Sequence, residues 1–504
     1  MKDGRPLFDY EPVRRVRRRP PSAHEALLAE GWPVREENLP EEKSTEAEAE
    51  EQQANSGVKL PESFGERERA PVLKRGHLLS FIGLLLFTLA MYLRAYILPT
   101  VDYVPFILAT LTLVTFFPLQ LSVEGSLTGG VREVHLALLL CLAGLLAVPL
   151  AYDKGVAFDG FWALTKTVLI FTVLCNAVRT EWRLKVMLYL MLCISAVLSA
   201  VALRDYQSGM LTIEGYRVKG AIANGVFEDP NDLAAFLVAM LPIAIALGLS
   251  ARGLWRKAVL LLYSVLCLGA VIVTFSRGGF LALIAMTLVL VWKLGRRHRF
   301  ISMFTAITSA SLFITLSPGH YWLRMASIFI PSLDPLGSAS ARSALLKQSI
   351  LVALRHPIFG IGIGNFMLIS INEHVTHNAY TQVAAEVGLP ALIIYVLFTV
   401  TPIRRLRRIE DAEFKREGRR RSRFYYLSVG MQASLIGYAV SSFFISVAFY
   451  PVIYYLVGYA VCVRRLYESE MAREEKTADA SSGEALGQHP ADAQEGARAF
   501  SHTF

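Results

Sequence analysis

Apolar positions along the chain gather into long runs that are separated by shorter polar segments. Most runs reach about 17–25 residues, the length an α-helix needs to cross a hydrocarbon core of about 30 Å. The pattern predicts an all-α polytopic membrane protein with about twelve spanning helices. The predicted spans are 79–98, 103–122, 133–152, 159–178, 184–203, 231–250, 256–275, 278–294, 300–317, 387–403, 424–446 and 448–465.

The two ends of the chain are polar and have too few apolar residues to form a core. A basic cluster at 14–19 is followed by an acidic tract at 41–51, and no signal-peptide core follows the N-terminal charges. We therefore expect a disordered cytoplasmic extension over 1–75, a transmembrane domain over 76–466, and a disordered cytoplasmic tail over 467–504.

Charge in the connecting segments predicts the topology. Basic residues concentrate after the fourth, sixth, eighth and tenth spans, and the positive-inside rule makes these loops cytoplasmic. An even number of spans then places both termini on the same side. Two long segments, about 204–230 and 318–386, would face outward, so candidate chemistry is expected there.

Composition supports this class, since 54% of residues are hydrophobic, 18% are charged and the mean hydropathy is +0.42. The net charge of +9 is explained by basic residues in the loops between helices, so it does not predict a nucleic acid partner. No cluster with metal-ligand spacing is visible in the outward segments, so neither a metal nor a cofactor is predicted.

Arg277 stands between apolar runs at 271–275 and 280–285. An arginine at the centre of a membrane helix costs roughly 2.5–3.5 kcal/mol, so such a residue normally lies at a boundary or lines a cavity. The topology places it in a tight outward turn, where Gly278 and Gly279 allow a close backbone approach. The structural alternative is an arginine that reaches toward lipid phosphates.

Two other outward motifs carry polar candidates. Arg217 and Lys219 precede Asp229-Pro230-Asn231, in which proline suits the first helical turn and a flanking side chain can cap it. Further along, His377 has the chemistry of a general base, because a neutral imidazole accepts a proton from a hydroxyl group. His374 is better explained as a cap or a packing residue.

The segment 357–366 contains spaced glycines, but no strand or GK[ST] pattern accompanies it, so a nucleotide-binding loop is not predicted. Together, however, the outward motifs resemble the O-antigen ligase and polymerase superfamily. The resemblance covers about 205–400. It rests on Thr274-Phe275-Ser276-Arg277-Gly278-Gly279, Asp229-Pro230-Asn231 after an outer arginine, Pro357 with Gly360 and Gly362, and His377-Asn378 followed by Glu386 and Gly388.

One departure from the family lies in the amphipathic stretch Arg342 to Arg355, which carries Leu346 where relatives often have an aromatic residue. The resemblance implies a multispanning, GT-C-like glycosyltransferase of the bacterial inner membrane. Such enzymes move a glycan from an undecaprenyl diphosphate carrier to a lipid, glycan or protein acceptor at the periplasmic face, without a metal.

The implied roles divide the residues into three groups. His377 would act as general base and Arg277 would stabilise the departing diphosphate. The substrate-binding group is Arg217, Lys219, Lys166 and Arg342, of which Lys166 would contact the diphosphate from within the fourth span. The motif-supporting group is Asp229, Pro230, Asn231, Asn378 and Glu386.

Three alternatives remain open. A polymerase would use a second carrier-linked repeat as its acceptor, and a protein O-oligosaccharyltransferase would use a Ser or Thr hydroxyl group. A transporter of lipid-linked sugars is the alternative from another class. Transporters commonly place ionisable residues near the membrane midplane, whereas this chain gathers its polar residues at one face.

Overall fold

Helices dominate the computed structural model, which contains sixteen α-helices and no strand within the residues it describes. All of these residues belong to one compact unit, residues 69–504. The predicted N-terminal extension lies outside them. The described residues are 76–97, 103–211, 217–218, 227, 229–296, 299–330, 337–416 and 422–487.

The helices follow one another along the chain with two short 3₁₀ turns, Val148–Leu150 and Ile371–Glu373. In order they are α1 (Leu78–Ile97), α2 (Val104–Glu124), α3 (Arg132–Ala147), α4 (Lys154–Ala177), α5 (Glu181–Gln207), α6 (Pro230–Ser250), α7 (Leu254–Val273), α8 (Arg277–Leu294), α9 (Arg299–Leu316), α10 (Gly319–Ala326), α11 (Ser338–Arg355), α12 (Phe366–Ile369), α13 (Ala379–Glu386), α14 (Leu389–Arg416), α15 (Arg423–Ser441) and α16 (Pro451–Gly487).

Each predicted span overlaps one of these helices, and the all-α polytopic fold is confirmed. Eight helices in the described ranges are long and apolar enough to cross a membrane: α2, α3 with the 3₁₀ turn after it, α4, α5, α6, α7, α8 and α14. Helix α6 forms the centre of the bundle, because it packs against α7, α8 and α15 and is apolar on all sides.

Buried carboxylates and basic side chains meet at one end of the bundle. Glu133 is fully buried and pairs with Arg405 at 3.0 Å, while Glu410 is almost fully buried and pairs with Lys293 at 2.5 Å. Burial of a carboxylate is tolerated when it is paired and hydrogen-bonded. We call this end, where α5, α7 and α15 begin, the basic end; it is the end that the positive-inside rule predicts to be cytoplasmic.

The final helix differs from the prediction. Helix α16 continues to Gly487, so residues 467–487 of the predicted tail are helical. Arg423 pairs with Glu470 at 2.7 Å and Arg416 pairs with Glu474, and both ion pairs join the extension to neighbouring helices. Its residues are also mainly good helix formers, alanine and glutamate above all.

Candidate functional site

Arg277 is the first residue of α8 and follows a sharp turn after α7. Ser276 caps α8, because its Oγ accepts a hydrogen bond of 3.1 Å from the Gly279 amide. Phe275 has φ of 50°, a left-handed value that is rare for a bulky residue. The turn therefore holds a strained backbone immediately before Arg277, whose side chain is half-buried.

Arg217 anchors this turn from the preceding outward segment. Its Nε donates to the Thr274 carbonyl at 3.0 Å and its Nη2 donates to Asn231 Oδ1 at 3.1 Å. The same Asn231 oxygen accepts a hydrogen bond of 2.8 Å from Ser276 Oγ. Arg217, which was predicted from the sequence, is 8% exposed and contacts the turn before Arg277 directly.

The Asp229-Pro230-Asn231 element forms the start of α6. Asp229 caps the helix by accepting from the Asn231 amide at 2.7 Å, and Pro230 occupies the first turn, as expected. Asp229 Oδ1 also accepts from Asn231 Nδ2 at 2.8 Å. This contact fixes the amide so that its oxygen faces Arg217 and Ser276.

Arg324 was not predicted from the sequence. It lies on α10, and its Nε donates to the Phe275 carbonyl at 2.9 Å. Two arginines therefore bind successive carbonyls, Thr274 and Phe275, at the C-terminal end of α7, where the helix dipole favours positive charge. An isolated arginine in an outward segment was the available signal, but its partner is a backbone oxygen that no sequence motif reveals.

His377 lies in the tight segment that leads into α13. Its φ of 52° is left-handed, a conformation that histidine adopts more readily than most residues. On one side, Thr376 Oγ1 donates to the Asn378 carbonyl at 3.0 Å. On the other, Asn378 caps α13 and donates to the Phe443 carbonyl at 3.2 Å. These contacts fix the backbone from which the imidazole projects.

Burial, and after it the positive charge of Arg342, lowers the pKa of His377 from its ordinary value of 6.5 to about 4. Asp229 opposes this shift by raising the pKa, and His374 adds to the lowering. The effects show that Arg342 and Asp229 both lie within electrostatic range of the imidazole. His377 is therefore neutral at pH 7 and carries a free lone pair for a proton.

The segment between α15 and α16 connects the Arg277 turn with the His377 segment. A Cβ placed on Gly278 would lie 2.8 Å from the Phe444 Cβ, so the two backbones are in close contact. The neighbouring Phe443 and Ser442 carbonyls accept from Asn378 Nδ2 and from the Ala379 amide. The structure therefore brings Arg217, Asp229, Arg277, Arg342 and His377 to the same end of the bundle, opposite to the basic end.

The glycine segment before this site has a structural role. Gly362 N donates to the Glu386 carbonyl at 2.8 Å, and Asn365 accepts from the Asp153 amide at 2.7 Å. The Glu386 side chain is buried, which raises its pKa to about 7, and the Gly364 and Phe366 amides oppose that rise. The segment thus packs α13 against the start of α4.

Two predicted residues stand apart. Lys166 is exposed on α4, and among the described residues no contact joins it to another predicted site residue. Lys219 lies outside the described residues. The described part of the chain contains no group of three or more His, Cys, Asp or Glu side chains that could hold a metal ion.

A comparison with protein-family models found a match. Residues 262–396 match the family model described as O-Antigen ligase. The matched region contains Arg277, Arg324, Arg342, His377 and Glu386, while Arg217 and the Asp229 cap precede it. No curated protein matches the chain.

Proposed function

We propose that this member of the O-antigen ligase superfamily transfers a glycan from an undecaprenyl diphosphate carrier to an acceptor hydroxyl group at the periplasmic face of the bacterial inner membrane. The observation that carries the proposal is the convergence of arginines and a neutral histidine at one end of the bundle. Arg217 donates a hydrogen bond to the turn after α7, and Arg277 follows that turn as the first residue of α8. His377 lies within electrostatic range of Asp229, which caps α6.

Donor activation needs positive charge beside the leaving group. As the anomeric C–O bond breaks, its electron pair moves onto the diphosphate, and fixed guanidinium groups stabilise that charge. Two of Arg217's donor groups already bind protein oxygens, so we assign it to positioning the turn and adding charge. Arg277, at the start of α8, is the residue we assign to the diphosphate itself.

Acceptor activation is assigned to His377. The acceptor oxygen attacks the anomeric carbon with inversion, and its proton passes to the imidazole nitrogen. The neutral state of the free imidazole suits this role, although a pKa of about 4 makes it a weak base. A bound diphosphate would add negative charge beside Arg342 and so raise the pKa toward the working pH. Donor binding would thereby prepare the base.

Reconstitution in liposomes tests the proposal. Purified protein is supplied with a lipid-linked repeat and with lipid, glycan or protein acceptors. A single transfer to a lipid acceptor indicates a ligase, a ladder of products a polymerase, and transfer to Ser or Thr a protein O-oligosaccharyltransferase. Intact transfer by Arg277→Gln and His377→Asn variants would overturn the catalytic assignment.

The same liposomes separate the enzyme from a transporter. A flipping assay with a fluorescent lipid-linked sugar measures movement between leaflets without an acceptor. We expect transfer with no flipping above protein-free liposomes. Flipping that depends on Arg277, with no transfer to any acceptor, would favour the transporter.

A further inference from the structure

A second site is suggested by a large cavity at the basic end, on the opposite side of the bundle from His377. Its volume is about 1910 Å³. It lies between the first turns of α5, α7 and α15 and the last turn of α6. Its lining combines basic residues at the rim with aromatic and aliphatic residues deeper in the wall.

The rim carries five cations, Lys185, Arg252, Arg256, Lys257 and Arg423, and no acidic residue is among the described residues that line the cavity. Lys185 and Arg423 pair with Glu181, at 2.6 and 2.9 Å, and Arg423 also pairs with Glu470 at 2.7 Å. Among the described residues, no carboxylate lies within ion-pair distance of the other three, which flank the short connection from α6 to α7. Three positive charges therefore face the cavity without a described counter-ion.

The wall is apolar and aromatic. Leu192, Leu247 and Leu260 line its inner part, and Trp182 and Trp255 flank the rim. Tryptophan is enriched at the boundary between the hydrocarbon core and the headgroups. The outer face of α7 continues the apolar surface, since Leu261 and Leu262 are 67% and 70% exposed. An acyl chain can thus run from the cavity along α7 into the bilayer.

We propose that this cavity binds one anionic phospholipid of the leaflet at the basic end. Arg252, Arg256 and Lys257 bind the phosphate, and the acyl chains lie against Leu192 and Leu260. Basic pockets between membrane helices recognise anionic headgroups in this way. The leucine-lined wall favours a lipid over a soluble anion, because a free phosphate has no apolar part to bury there. The proposal does not depend on the glycosyltransferase assignment.

Native mass spectrometry of the purified full-length protein tests the site. Detergent samples receive equal amounts of phosphatidylglycerol and phosphatidylcholine. We expect one tightly retained phosphatidylglycerol, and retention that is about tenfold weaker in the triple variant Arg252→Gln, Arg256→Gln, Lys257→Gln. The matched control removes two arginines and a lysine elsewhere at the same end, as Arg404→Gln, Arg408→Gln, Lys415→Gln, and should retain the lipid.

Two further arms identify the ligand. Ala196→Phe fills the wall but keeps every cation, so it should weaken phosphatidylglycerol binding if the acyl chains occupy the cavity. Inorganic phosphate at millimolar concentration should not displace the lipid. Equal retention of both lipids, unchanged retention in the triple variant, or displacement by phosphate with no effect of Ala196→Phe would each overturn the proposal. Thermal unfolding of each variant confirms that it is folded.

Discussion

Arg217 Nη2 and Asn231 Oδ1 form a hydrogen bond of 3.1 Å that ties the turn before Arg277 to the first turn of α6. Arg217 uses a second donor, Nε, on the Thr274 carbonyl at 3.0 Å. The planar, forked guanidinium group makes these bonds from two nitrogens held in a fixed geometry, whereas a lysine would have to reach both acceptors from a single ammonium nitrogen. The position of Arg277 therefore depends on the shape of this side chain as well as on its charge.

Arg217→Lys is expected to lower transfer while the protein remains in the membrane. Losing a buried hydrogen bond from a charged group costs about 1.5–3 kcal/mol, which corresponds to about 10- to 150-fold in rate if the turn must be held for catalysis. The measurement is transfer in liposomes at saturating acceptor. Arg204→Lys is the matched control, because the Arg204 side chain is 67% exposed and its ion-pair partner among the described residues is the adjacent Asp205. Equal losses in both variants would contradict a special role for Arg217.

His377→Asn should reduce transfer by about 10²–10⁴-fold, the usual contribution of a general base. Asparagine tolerates a left-handed φ better than alanine does, so it preserves the backbone conformation of 52° while removing the base. Donor binding, measured with a fluorescent carrier diphosphate, should stay within about twofold of the original, because the arginines are unchanged.

The control for this variant is His374→Asn. The rings of His374 and His377 have centroids 6.4 Å apart, but His374 is exposed. We expect the His374 variant to keep nearly full activity. A large loss from His374→Asn with little from His377→Asn would move the base to His374.

The pH profile of kcat/KM should reflect the lowered pKa of His377. That profile reports groups of the free enzyme, so its acidic limb is expected near pH 4 instead of near the ordinary histidine value of about 6.5. Arg342→Gln removes a positive charge that disfavours the imidazolium. The pKa should therefore rise and the acidic limb should move to higher pH, whereas Asp229→Asn should move it to lower pH. An acidic limb unaffected by either change would show that His377 is not the titrating group.

Much of the fold could be predicted from the sequence, because a membrane helix is specified by the length and apolarity of its own segment. Each predicted span overlaps a helix for that reason.

The site could be predicted from the sequence only in part. Arg277 and His377 stand out as polar residues in outward segments, but the contact between Arg324 and the Phe275 carbonyl depends on how α10 folds back over the turn. The extent of α16 was missed because its polar composition is typical of disordered tails, while its ion pairs come from distant helices.

The glycine segment also illustrates that limit, since its spacing alone did not reveal its packing contacts with α13 and the start of α4. Gly360 has φ of 64°, and a Cβ there would lie 2.5 Å from the Val387 amide nitrogen. Gly360→Ala is thus expected to destabilise the protein for two reasons. The left-handed backbone conformation costs an L-residue about 1–2 kcal/mol, and the overpacking of the added methyl group costs about 1–3 kcal/mol. Gly209→Ala is the matched control, because Gly209 has φ of 71° with nothing within 4 Å of its Cβ position.

Thermal unfolding in detergent should show a clearly larger fall in melting temperature for Gly360→Ala than for Gly209→Ala. Equal shifts would mean that the segment can move away from α13. An unchanged melting temperature combined with lost donor binding would indicate that the segment contacts the donor and would contradict a purely packing role.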